Sequence, residues 1–221
     1  MSWTTAIIVA AGEGRRYGET KQFALLKGKS VLAWCLEKFQ GHRDIDSIVL
    51  VLGKGQSGKE YCDRFKKISR IAEGGENRQD SVYSGLSCVE SDQDGIVLVH
   101  DGARPLVGMD LIGRLIQATR EKGAVVPVIA VEDTIKCVEA NRILRTEDRT
   151  RLFRAQTPQG FACSLLKEAF VQAFHDEFDG TDEAVLVERL GKDVYVIPGD
   201  RKNIKITTRE DMKIAEALIE D

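Results

Sequence analysis

Short apolar runs recur along the chain, and the intervals between them are long enough to hold a helix. Thr5–Val9, Ser47–Leu52, Ile96–His100, Ala124–Ala130 and Val194–Pro198 are dominated by valine, isoleucine, leucine and alanine, with little polar alternation. That pattern predicts strands buried on both faces, as in a parallel sheet. Stretches with helical periodicity lie between and after them: Val31–Phe39, Lys59–Lys67, Gln79–Glu90, Asp110–Lys122, Leu165–Phe174 and Arg209–Ile219. In the last of these, Ile214, Ala215 and Leu218 form the expected apolar face. Alternating strand and helix predict an α/β fold: three layers, Rossmann-like, a mostly parallel twisted sheet with helices on both faces. Ligands then bind beyond the carboxyl ends of the strands.

One segment breaks the alternation. Ile135 and Cys137 are interspersed with polar residues, Glu139-Ala140-Asn141 can turn, and Ile143-Leu144 return. This predicts an antiparallel hairpin that protrudes from the sheet. A lone hairpin has too little apolar face to stand by itself. The expectation is therefore one domain, 1–221, whose arm at about 133–151 packs on a second copy to make a homodimer.

The loops after the strands carry the candidate chemistry. Ile7-Ile8-Val9 runs into Ala10-Ala11-Gly12-Glu13-Gly14-Arg15-Arg16 and then Thr20-Lys21-Gln22. Two glycines let the backbone turn and approach a ligand, and free N–H groups in such a loop suit a phosphate chain. Arg15, Arg16 and Lys21 add cations, so the stretch reads as a triphosphate site. It is not a dinucleotide fingerprint, because Tyr17 stands where the third glycine belongs. Gly53-Lys54-Gly55-Gln56-Ser57-Gly58-Lys59-Glu60 comes close to a P-loop, but Glu60 replaces the magnesium-binding hydroxyl and would repel phosphate. It reads as a flexible surface loop. Gly74-Gly75-Glu76-Asn77-Arg78 leads into a helix with Asn77 as N-cap. At His100-Asp101-Gly102-Ala103-Arg104-Pro105, Asp101 ends a strand where a carboxylate can serve magnesium or a ribose hydroxyl. Arg104 could fork onto a phosphate, and His100 reads as structural.

Composition narrows the picture. A net charge of −3 over 221 residues argues against a nucleic-acid binder. No apolar run approaches a membrane span, and the N-terminus lacks a signal-peptide core. Five cysteines without Cys-x-x-Cys suggest reduced thiols and a cytoplasmic location. His42, His100 and His175 are too scattered for a metal cluster.

The glycine loop resembles the signature of sugar-phosphate nucleotidyltransferases, with Thr20 in place of the usual proline. Together with Gly74-Gly75 to Ser81, His100 to Pro105, Asp133-Thr134, Thr157-Pro158-Gln159, Thr181-Asp182-Glu183-Ala184 and Asn203-Ile204-Lys205, it resembles the 2-C-methyl-D-erythritol 4-phosphate cytidylyltransferases over nearly the whole chain. Gly102 departs from the alanine common in that family. The resemblance implies a fold of the nucleotide-diphospho-sugar transferase type, and a reaction in which a polyol phosphate attacks the α-phosphate of CTP with a divalent cation, Mg2+, present. It implies Arg16 and Lys21 as catalytic cations. Ala10, Ala11, Gly12, Gly14, Gly75, Glu76, Arg78, Ser81 and Gly102 are implied to bind the nucleotide. Asp101, Arg104, Thr134, Arg149, Thr157 and Lys205 are implied to bind the acceptor, with Asp101 also a metal ligand and Thr134 and Arg149 reaching the partner's site. Two alternatives stand beside it: a ribitol-5-phosphate cytidylyltransferase, and a non-catalytic nucleotide-binding regulator that uses the Gly53 loop.

Overall fold

The apolar runs pair into a single sheet because each strand presents one face to either side. The computed structural model describes residues 3–12, 14, 17, 20–90 and 95–219. In chain order the elements are β1 (Thr4–Ala10), β2 (Leu25–Leu26), β3 (Lys29–Ser30), α1 (Val31–Gly41), β4 (Ser47–Leu52), α2 (Lys59–Arg64), β5 (Ile68–Glu73), α3 (Arg78–Ser87), β6 (Ile96–Asp101) and α4 (Met109–Lys122). They continue with β7 (Ala124–Ala130), β8 (Lys136–Glu139), β9 (Arg142–Thr146), β10 (Phe153–Ala155), β11 (Gln159–Ala162), α5 (Cys163–His175), α6 (Glu183–Arg189), β12 (Tyr195–Pro198) and α7 (Arg209–Leu218).

Among the described residues, eight strands form one sheet in the order β10-β7-β11-β6-β1-β4-β5, with β12 also on β7. β1 lies between β4 and β6 in parallel register, with Ile7 opposite both Val49 and Val99. Side chains alternate across a strand, and the core divides by parity. Ala6, Ile8, Ile48, Leu50 and Leu98 pack with Leu32, Leu36 and Phe39 of α1 and Leu111 and Leu115 of α4. Ile7, Val49, Val51, Val97 and Val99 pack with Val82 and Leu86 of α3, Phe170 of α5 and Leu186 of α6. These are the expected helical layers on both faces.

Several elements differ from expectation. The edge strand β5, Ile-Ser-Arg-Ile-Ala-Glu, is half polar, so it has no apolar run to reveal it. β10 and β11 lie on either side of Pro158, which hides them, and α6 is too short to show a period. β11 runs antiparallel between β6 and β7. Gly160 permits that, since a Cβ there would lie 2.1 Å from the Thr119 hydroxyl oxygen. α7 buries Met212 and Ala215, while Ile214 is 51% exposed, so the expected apolar face is rotated toward Met212. Here the i, i+3 pair decided the seating over the larger isoleucine.

The hairpin is present. β8 and β9 form a separate two-stranded sheet. Ala140 and Asn141 both have positive φ, at 46° and 63°, as a two-residue primed turn requires. Val138, Ile143 and Leu144 on it are 56%, 59% and 44% exposed in the single chain.

Candidate active site

At the carboxyl edge of the sheet lies a cleft of about 400 Å³, walled by the loops after β1, β5 and β6. Ala10, Ala11 and Gly12 form one wall with Lys21, as the sequence predicts. Gln22, to which the sequence assigns no role, is 2% exposed. Its side-chain amide donates to the carbonyls of Ala10 at 2.8 Å and Gly12 at 2.9 Å. One buried amide therefore pins both ends of the loop's first turn, and Lys21 is carried into the cleft by its neighbour's anchor.

The opposite wall is the β5–α3 loop. A Cβ on Gly74 would lie 2.3 Å from that of Ala11, so glycine there lets the two walls meet, and one on Gly75 would lie 2.2 Å from that of Asp80, so glycine there lets the loop fold against α3. Asn77 caps α3, its Oδ1 accepting the Asp80 N–H at 2.8 Å. Ser81 Oγ accepts the Gly75 N–H at 3.1 Å and donates to the Asn77 carbonyl at 2.8 Å. Its proton is thereby spent inside the loop, and the hydroxyl shapes the wall. Glu76 and Arg78 complete this side.

The floor is built on β6. Asp101 is 6% exposed. Arg78 Nε lies 3.2 Å from its Oδ1, while Lys205 Nζ and Arg104 Nε lie 2.9 and 3.6 Å from its Oδ2. Burial opposes its ionisation, but Arg78, Lys205 and Arg104 outweigh burial and hold the carboxyl well below the usual carboxylate range. Arg104 turns one Nη to the Asn203 carbonyl at 2.8 Å, and only 11% of its side chain is exposed. Arg78 gives both Nη atoms to Glu183, at 2.7 and 3.1 Å. At the cleft wall its guanidinium thus already serves two carboxylates of this chain, the Nη pair on Glu183 and Nε on Asp101.

Beneath Asp101, Thr157 Oγ1 accepts the Asp101 N–H at 3.1 Å and lies 3.2 Å from His100 Nδ1, while His100 Nε2 lies 3.3 Å from the Arg104 carbonyl. A carbonyl can only accept, so Nε2 carries the proton and Nδ1 accepts from Thr157. Thr157 reaches this position because residues 156–158 bulge between β10 and β11: Ala155 pairs with Val128, yet Gly160 pairs with Val125. Burial lowers the His100 pKa to about 3, from an ordinary 6.5. The unfolded chain then binds a proton that the folded chain refuses between those values. Stability should fall as pH drops through this window, by up to ~1.4 kcal/mol per pH unit. Thermal melts at pH 7 to 4 check this; His100→Gln should lower the Tm at pH 7 yet flatten the slope below pH 6.5. An unchanged slope refutes the assignment.

The remaining sequence-predicted residues divide. Arg16 lies outside the described residues. Gly14 has φ 69° and closes a turn with the Tyr17 N–H. Ala103, not Gly102, lines the cleft; a Cβ on Gly102 would meet Ala10 Cβ at 3.1 Å, behind the wall. Thr134 and Arg149 are exposed on and beside the arm, away from the cleft lining of their own chain. Gly53, Lys54 and Gln56, in the expected surface loop, border a second cleft of about 460 Å³ that shares Ala11, Gly12, Gly75 and Glu76 with the first. The sequence also left Glu183 and Asn203 without roles. Both are buried polar residues, and nothing in local periodicity announces that.

The donor set suits a metal ion carried by a ligand better than one caged by protein. Among the described residues no three His, Cys, Asp or Glu side chains converge, and both Asp101 oxygens already face cations. A Mg2+ that keeps phosphate oxygens and water as its main ligands fits this arrangement.

A glycine loop, a clustered set of cations and a buried carboxylate beyond the carboxyl ends of an open α/β sheet define a nucleotide-dependent transferase. The profile of the family described as IspD, 2-C-methyl-D-erythritol 4-phosphate cytidylyltransferase, matches residues 4–221. The proteins of that name from Geobacillus thermodenitrificans and Clostridioides difficile are each 42% identical to this chain, covering 97% of it and 96% and 93% of themselves. The crystal structure of the Thermus thermophilus protein of that name superposes with a TM-score of 0.82 at 35% identity, covering 99% of this chain and 98% of the other. That from Francisella tularensis gives 0.86 at 32% identity, covering 99% and 100%. This chain belongs to the 2-C-methyl-D-erythritol 4-phosphate cytidylyltransferase family and is a CTP-dependent nucleotidyltransferase.

Proposed function

We propose that this enzyme transfers the cytidylyl group of CTP to 2-C-methyl-D-erythritol 4-phosphate, giving 4-diphosphocytidyl-2-C-methyl-D-erythritol and pyrophosphate. The supporting observation is the junction of two half-sites in one cleft: the Ala10–Gly12 loop with Lys21, and Asp101 among Arg78, Arg104 and Lys205. The names of the relatives favour methylerythritol phosphate over ribitol phosphate as acceptor. An acceptor phosphate oxygen bonds to the α-phosphorus as the bond to the bridging β-oxygen breaks, and pyrophosphate leaves. The attacking phosphate is already ionised at neutral pH, so no general base is required. Catalysis reduces to alignment and charge neutralisation.

Ala10, Ala11, Gly12, Gly75 and Glu76 hold the nucleotide. Lys21, with Arg16, neutralises charge developing on the phosphorus and the departing pyrophosphate. Lys205 and Asp101 orient the acceptor, with Arg104 and Thr157 fixing the floor beneath it. A divalent cation, Mg2+, would supply charge neutralisation for the triphosphate, and Asp101 is the chain's carboxylate placed to hold it, by giving up one of its cation partners. We further propose a homodimer in which Thr134 and Arg149 serve the neighbour's site. A cytoplasmic location accords with the free cysteines, and among the described residues no helix is long and apolar enough to cross a membrane.

The experiment is turnover. Purified enzyme with Mg2+ should release pyrophosphate from CTP and methylerythritol phosphate, and kcat/KM should fall at least ~100-fold with UTP, because a pocket built for the cytosine amino group is left with unpaired polar groups by uracil. Equal turnover of CTP and UTP, or a preference for ribitol phosphate, refutes the reading.

A further inference from the structure

Glu183 belongs to the Thr181–Ala184 motif, to which no step above assigns work. It is 1% exposed, the first residue of α6, and its carboxylate meets the Arg78 fork at 2.7 and 3.1 Å. Arg78 in turn presents Nε to Asp101 at 3.2 Å. A guanidinium is planar, so two bonds on one edge set the direction of the third N–H. The base of Glu183 is itself fixed. Its neighbour Asp182 caps α6 through the Val185 N–H at 3.2 Å and accepts from Gln159 of β11 at 2.8 Å. Gln79, beside Arg78 on α3, donates to the Phe178 carbonyl at 3.0 Å and accepts the Gly180 N–H at 2.8 Å, clamping the segment before α6. Both ends of the Arg78 bridge are therefore held by independent contacts.

From this geometry we propose that Glu183 is a positioning residue, which aims Arg78 at Asp101 and keeps it off the nucleotide phosphates. Without the second carboxylate, the Arg78 fork would face one partner on one side and an incoming triphosphate on the other. A guanidinium pairs bidentately with phosphate as readily as with carboxylate. Bound to phosphate, Arg78 would release Asp101 to turn toward Lys205 and Arg104, and the acceptor surface would lose its shape. Glu183 thus separates the cations that bind the donor from those that shape the acceptor side.

The inference rests on the cytidylyltransferase reading, and its test separates the two. With wild-type enzyme active on CTP and methylerythritol phosphate, Glu183→Gln should raise the acceptor KM about tenfold and lower kcat, with the CTP KM unchanged or reduced. Glu183→Asp keeps the charge and should restore part of the acceptor affinity. Arg78→Lys, which loses the fork, should reproduce the acceptor defect, and adding Glu183→Gln to it should change the acceptor KM little. If Glu183→Gln does not fold, Glu183→Asp and Arg78→Lys carry the test. Unchanged KM values for both substrates, with only a lower Tm or fewer active molecules, overturn the proposal. An inactive wild-type enzyme refutes the functional reading instead.

Discussion

Replacing Lys21 with alanine should lower kcat by about two to three orders of magnitude, the loss typical of removing one charge-stabilising donor from a transition state. The lysine opens a single 3-10 turn whose next residue is the buried Gln22. Gln22 holds the turn through the Ala10 and Gly12 carbonyls. Removing the Lys21 side chain leaves that anchor in place, so the loop should keep its shape and CTP its hold. The ammonium's contribution grows as charge moves onto the α-phosphoryl group and the departing pyrophosphate, so the loss should appear in kcat more than in KM. Arg16→Ala is expected to behave alike from its place in the loop. Steady-state kinetics with a parallel thermal melt make the check: near-wild-type kcat, or a melt showing loss of fold, removes Lys21 from the catalytic role.

The second large effect concerns the arm. Cutting it from Asp133 to Arg151 and closing the gap with a short linker should yield a monomer that still binds CTP but turns over little acceptor. The hairpin exposes Val138, Ile143 and Leu144, and Phe153 just beyond it is 54% exposed. A two-stranded sheet with its apolar side chains in water does not offset the entropy of ordering it. In the proposed homodimer a partner's surface would supply the missing cover, and two-fold pairing would let each copy do this for the other. Sedimentation at micromolar concentration decides the first half, and an intact protein that runs as a monomer sinks the idea. Mixed subunits decide the second. A heterodimer of Arg149→Ala and Lys21→Ala chains would hold one site with both defects and one with neither, so activity should partly return. No recovery in verified heterodimers means each subunit builds its own site.

The sequence showed the fold wherever burial is two-sided. β1, β4, β6 and β7 could be read from their unbroken apolar runs, and the loops after β1 and β6 followed as the candidate site. β5, β10 and β11 could not. One is an edge with a wet face, and the others flank a proline and depend on neighbours for their burial. Within the site, residue types were legible but directions were not. The resemblance implies that Arg78 binds the nucleotide, and only its distance to Glu183, 105 residues along the chain, shows where its fork points. Gln22 and Asn203 carry no pattern of their own, since a buried amide looks like any surface amide until its partners are known. In α7, helical period identified the helix but not which of two adjacent apolar residues is seated.

β6 and β7 follow one another in the chain but do not touch as strands; β11 fills the gap between them. A nascent polypeptide that has emerged only as far as β7 therefore carries an open seam, with the unpaired N–H and C=O groups of β6 facing where β11 will lie. Such edges invite pairing with other chains, and synthesis proceeds at only ~5–20 residues per second. Until Gln159–Ala162 arrives, the molecule is most exposed to chaperones and to its own neighbours on the polysome. Thr157 arrives in the same stretch, so closing the sheet and completing the floor under Asp101 are one event in its biosynthesis.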